Sequence, residues 1–166
     1  EQLLRDIVHE THLVIKMNGL ATQTEPQASF AGLIITPAGQ AVWAHVGDVR
    51  VYRFHKGDAK MRSGDGAYID HLMNTDKLPM ESARNHRHSK LLVNSRKEPF
   101  VTLGHFEPLE AGSAFLLASD GLWHFFTDAE LGAVLHKASP RQGSEMLISK
   151  AGERAQGKGG NCTMAI

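Results

Sequence analysis

Two aspartates sit where a carboxylate can do chemistry. Asp120 follows the apolar run Phe115-Leu116-Leu117-Ala118-Ser119 and precedes Gly121-Leu122-Trp123. The run does not alternate, and it is bounded by Gly112 and by Asp-Gly, as a buried strand would be. Such a strand delivers Asp120 to the end of a sheet, where a carboxylate can face a cleft and bind a metal ion. Gly121 lets the backbone turn at once and approach a ligand closely. Alone, the same residues also describe an ordinary strand ending in an Asp-Gly turn. Asp48 supplies a second site of the same kind, in Ala41-Val42-Trp43-Ala44-His45-Val46-Gly47-Asp48-Val49-Arg50-Val51-Tyr52-Arg53-Phe54. There, Gly47-Asp48 forms a bend or bulge between two β-prone runs.

The elements around these aspartates follow from pattern. Residues 29–35 read as a strand, Thr36-Pro37-Ala38-Gly39 as a turn, and His55-Lys56-Gly57-Asp58 as a hairpin turn. Residues 29 to about 62 are therefore expected to form one antiparallel meander. Leu3, Leu4, Ile7, Val8, Thr11, Val14 and Ile15 share one stripe of a helix over 1–16, with Asn18-Gly19 as its stop and 20–28 as a loop. Ser63 to Gly66 forms a turn. Tyr68 to Met73 has helical spacing, and Pro79 fits the first turn of another helix. Two strands flank the turn at Glu110-Ala111-Gly112. Thr127 and Glu130 form a capping box for one helix, and a second runs from about Pro140 through Ala151. Gly157 to Gly160 is a loop, and Cys162 to Ile166 is a final strand.

These residues carry a resemblance. Gly47-Asp48-Val49-Arg50 resembles the Gly-Asp-Ser-Arg motif of the PPM-type, type 2C-like metal-dependent serine/threonine protein phosphatases, with Val49 in place of Ser. Ser119-Asp120-Gly121-Leu122-Trp123 matches their Ser-Asp-Gly-Leu-Trp motif in full. Gly160-Asn161-Cys162-Thr163 sits where the family has Asp-Asn-x-Thr. The order and spacing of the three also fit the C-terminal two-thirds of that domain. The resemblance implies an α+β fold, a four-layer α/β/β/α sandwich of two antiparallel sheets flanked by helix pairs, formed here by residues 1–166 as a single domain. It also implies hydrolysis of phosphoserine and phosphothreonine in proteins by a water activated on Mn²⁺ or Mg²⁺. Asp120 would then be a ligand of the binuclear centre and Asp48 a ligand of a third, weaker site. Gly121, Asn161 and Arg50 would support them, with Arg50 bracing the loop. Phosphorylated proteins would be the substrates and a cognate Ser/Thr kinase a partner.

The departures are specific. Gly160 occupies the position of the family's last aspartate ligand and has no side chain to offer. No Asp-Gly-x-Gly-Gly sequence occurs, and Asp65-Gly66 falls too late to replace it. The family's N-terminal strands, with their phosphate-holding Arg and bridging Asp, have no counterpart here. No residue is therefore assigned a catalytic role. The alternative reading is a catalytically degenerate pseudophosphatase that binds phosphoproteins or a kinase.

Composition adds bounds. The 166 residues are 42% apolar, enough for one domain with a core. Eighteen basic and eighteen acidic side chains cancel, so bulk charge favours neither nucleic acid nor an anionic membrane. No apolar run reaches the ~20 residues that span a bilayer. The single cysteine, Cys162, fits a reducing, cytoplasmic setting. His71, His86 and His88 could suggest a metal site, but residues two apart on a helix point to different faces. Trp43, Trp123, Phe125 and Phe126 read as core aromatics.

Overall fold

The computed structural model describes residues 1–64, 98–106 and 108–166, together with the backbone of 93–94. The expected helices around Tyr68 and Pro79, Asp65-Gly66, and His71, His86 and His88 lie outside the described residues. The described chain falls into two compact units, one of 1–34, 42–48 and 64–105, the other of 35–41, 49–63 and 106–166.

The first unit opens with α1 (Gln2–Thr22). It runs past the expected stop, because Gly19 is buried within it and Gln23, with φ of 53°, closes it instead. The buried stripe is also narrower than expected. Leu4, Val8, His12 and Gly19 face inward, whereas Leu3, Ile7 and Val14 are exposed. Leu4, Val8 and His12 follow i, i+4 steps along a single ridge, with Gly19 two turns further on, and one ridge cannot also cover the flank occupied by Leu3, Ile7 and Val14. Part of the expected loop is a strand: β1 (Gln27–Ala28) pairs antiparallel with β6 (Val93–Asn94). A three-stranded sheet holds β2 (Phe30–Ile35), β3 (Ala41–Val46) and β7 (Thr102–Phe106) in the order β2-β3-β7. Val8 and Val46 are fully buried together, with Ile15, Phe30 and Val101 against them.

The second unit holds the sheet β5-β4-β8-β9, built from β4 (Val49–His55), β5 (Asp58–Arg62), β8 (Ser113–Ser119) and β9 (Met164–Ala165). All three pairings are antiparallel. The expected single meander is thus two hairpins in two different sheets. The chain leaves the first sheet at Gly47, whose φ of 91° is reached readily only by glycine, so β3 and β4 do not pair. The β4–β5 turn is as expected, with Lys56 and Gly57 both at positive φ (49° and 89°). Three helices complete the unit: α2 (Asp120–Trp123), α3 (Asp128–Lys137) and α4 (Pro140–Ala155). The capping box of α3 forms as its sequence predicts. The Glu130 N–H donates to Thr127 Oγ1 at 3.2 Å, and the Thr127 N–H donates to Glu130 Oε2 at 2.8 Å. Tyr52, Phe54, Leu116, Leu122, Trp123, Leu131 and Leu147 form one core. Each such side chain contributes about 1.5–3 kcal/mol by leaving water. The helices are segregated from the strands, and the two main sheets are antiparallel, as the α+β reading expects. Among the described residues, no helix is long and apolar enough to cross a membrane.

Candidate functional site

Asp120 stands at the C-terminal end of β8, as its sequence implies. Leu116 and Ala118 anchor the strand in the core, and the chain then turns into α2 with Asp120 as its first residue. The carboxylate is exposed, while Gly121, Leu122 and Trp123 behind it are buried. Its Oδ1 accepts from the Gly121 N–H at 2.9 Å. A carboxylate at the first turn of a helix is favoured by the unpaired amides there.

Ser119 pins a second segment beside this turn. Its Oγ donates to the Asn161 carbonyl at 2.9 Å and accepts from the Thr163 N–H at 3.0 Å. The Ser119 N–H also donates to the Thr163 carbonyl at 3.0 Å. Beyond it, β9 pairs with β8 through Met164–Ala118 and Ala165–Leu117. The two C-terminal motifs are therefore adjacent in the structure, joined by one hydroxyl and a short ladder. This explains Gly121 in a way the sequence reading missed. Its φ is ordinary; what it permits is the approach of another backbone. A Cβ there would lie 2.8 Å from the Asn161 carbonyl carbon, closer still to its oxygen, and 3.0 Å from the Gly160 oxygen. Gly160 is the opposite case. A Cβ would meet none of the described residues within 4 Å, and its φ is not positive. Neither packing nor backbone strain requires glycine at that position.

Arg50 leaves β4 directly opposite Ala118 of β8. Its guanidinium carbon sits 3.4 Å over the Trp123 ring, and Nη1 lies 3.5 Å from the Tyr52 hydroxyl. Burial pushes the Tyr52 phenol above its ordinary range, partly offset by Arg50. Cys162 packs against the same core, and burial raises its thiol as well. Asp48 belongs to the first unit, half-buried just after Gly47.

Among the described residues, no three His, Cys, Asp or Glu side chains converge to hold a metal ion. Asp120 offers one exposed carboxylate, the neighbouring segment contributes Gly160 without a side chain, and the Asn161 carbonyl is already bonded to Ser119. The described residues do not by themselves fit a two-metal centre.

No profile of a known protein family matches the sequence. Individual proteins do. The chain is 25% identical over 154 residues to the serine/threonine phosphatase Stp of Listeria innocua, covering 91% of this chain and 58% of that protein. It is 26% identical over 129 residues to a putative protein phosphatase 2C-type of Streptococcus pyogenes, covering 76% and 52%. In structure it matches the Streptococcus agalactiae serine/threonine phosphatase with a TM-score of 0.72 at 22% identity, covering 99% of this chain and 70% of that one. The fold is thus that of the PPM-type phosphatases. In sequence the chain is similar to these bacterial phosphatases, and it spans between half and three-fifths of the length of the two curated proteins. One further structural match, with a TM-score of 0.66 at 19% identity, is the PstP catalytic domain in complex with two manganese ions, of which this chain covers 64%.

Proposed function

We propose that residues 1–166 form part of a serine/threonine protein phosphatase domain acting on phosphoproteins in the cytoplasm, with Mn²⁺ or Mg²⁺ as cofactor and a Ser/Thr kinase as its signalling counterpart. The observation that carries this reading is the framed carboxylate: Asp120 exposed at the end of a buried strand, on a turn locked to the Asn161–Thr163 segment through Ser119. A carboxylate so held presents oxygen to a hard cation with little freedom to lose on binding. The likeness to phosphatases across 91% of the chain gives that carboxylate its chemical context. In this reading Asp120 binds metal, Asp48 contributes to a weaker site, and Gly121 and Asn161 shape the wall behind Asp120. The described residues supply no further ligand, so no step of the reaction is assigned to them.

Gly160 favours a second reading, a degenerate phosphatase that binds phosphoproteins or a kinase without turnover. Calorimetry with Mn²⁺ separates the two. The phosphatase reading expects saturable binding that Asp120→Asn removes. Absence of binding by the unaltered protein would favour the second reading.

A further inference from the structure

Arg50, which the resemblance makes a brace of the loop, makes a contact that the phosphatase reading does not use. It projects from the second residue of β4, a different strand from the one that carries Asp120. It nevertheless reaches the far end of the Asp120 turn, because its strand pairs residue for residue with β8 up to Val49–Ser119. The guanidinium lies flat enough on Trp123 for its carbon to sit 3.4 Å from the ring centroid. Trp123 is the last residue of α2, three positions after Asp120, and only 6% exposed. Its indole Nε1 is buried with no hydrogen-bond partner among the described residues. An indole of this kind is held by packing and by the cation on its face, not by its polar edge. Arg50 Nη1 lies 3.5 Å from the Tyr52 hydroxyl, too long to hold the guanidinium by itself.

We infer that Arg50 is a positioning residue: by stacking on Trp123 it fixes the Asp120–Trp123 turn, and with it the direction of the Asp120 carboxylate. The inference rests on the proposed role of Asp120 only for its functional meaning; the clamp itself is a property of the fold. Ser119 holds the entrance of the turn to the Asn161–Thr163 segment, and Arg50 holds its exit to β4. Removing the guanidinium leaves the entrance bonds intact and frees the exit.

The test compares the unaltered protein with Arg50→Met, which keeps chain length without charge, and Arg50→Lys, which keeps the charge. Native-state amide exchange is read at His124, Phe125 and Phe126, whose N–H groups donate to the carbonyls of Asp120, Leu122 and Trp123, and at β4–β8 amides remote from the turn. Arg50→Met removes the cation from the face of a buried ring and should speed exchange in the turn by about tenfold. The β4–β8 amides should be unchanged, the Trp123 indole resonance should shift, and Arg50→Lys should restore most of the protection. Equal exchange in Arg50→Met and the unaltered protein would overturn the inference, as would a uniform loss of protection across β4 and β8. Titration of the same samples with Mn²⁺ separates this inference from the functional one. Broadening near Asp120 that needs about tenfold more Mn²⁺ in Arg50→Met supports both. Faster exchange in the turn with no broadening in any protein upholds the clamp and removes the metal role of Asp120.

Discussion

Replacing Gly121 with alanine isolates the contact that brings the two C-terminal motifs together. The added Cβ would lie 2.8 Å from the Asn161 carbonyl carbon, whose neighbours are backbone atoms, not flexible side-chain ends. Carbon atoms rest at about 3.5 Å or more, so the Asn161 segment must retreat by roughly 0.7 Å. Three hydrogen bonds between Ser119 and the 161–163 segment oppose that retreat. Overpacking of this kind costs about 1–3 kcal/mol. Alanine gains at most ~1 kcal/mol over glycine inside a helix, and less in a turn as short as α2. The net expectation is a loss of about 2 kcal/mol, or a melting temperature lower by about 4–8 °C for a chain of this size. Gly160→Ala is the internal control. With open space around its Cβ and no positive φ, it should leave melting unchanged or raise it by the equivalent of at most ~1 kcal/mol. Thermal unfolding followed by circular dichroism reads both. If Gly121→Ala melts with the unaltered protein, the Asn161 segment does not press on the turn, and the framed carboxylate is wrong.

Other outcomes follow from the same geometry. Ser119→Ala removes one donated and one accepted bond and should cost about 1–2 kcal/mol by denaturant unfolding. In the Gly121→Ala background it should cost less, because the released segment can yield to the new methyl. The Glu130 carboxyl is held down at about 2, first by Arg154 and then by the Thr127 amide. Because the folded value lies below the unfolded one, that stabilisation is present above about pH 4.5 and is lost as pH falls toward 2. The melting temperature of the unaltered protein should therefore fall more steeply between pH 5 and 2 than that of Glu130→Gln. The half-buried Cys162 thiol, pushed up by desolvation, should react with a disulfide reagent at pH 7.5 more slowly than a free thiol. Unfolding in guanidinium should remove the difference.

Much of this arrangement was legible because its signals are local. The apolar run ending at Asp120, the Thr127–Glu130 box and the Lys56-Gly57 turn are each encoded within a few residues, and each formed where expected. What was not legible depends on partners distant in sequence. Nothing near Gly47 shows that the next strand joins a different sheet, since two adjacent β-prone runs read alike whether they pair or part. The extent of α1 was missed because burial of Gly19 overrides a sequence that ordinarily ends a helix. The reason for Gly121 lies 40 residues away in Asn161, and that for Ser119 lies in Thr163. The resemblance makes Arg50 a brace of the loop, and its stacking partner, 73 residues on, is Trp123. In each case a short-range motif gave the residue its place, and a long-range contact gave it its task.

The most direct measurement is phosphate release from a phosphothreonine peptide by the protein carrying this chain, with Mn²⁺, with chelator, and with Asp120→Asn. The account predicts turnover in Mn²⁺ at roughly 1–10³ s⁻¹, none in chelator, and a loss of at least a hundredfold on Asp120→Asn in a protein that still melts normally. Turnover that persists in Asp120→Asn would contradict it.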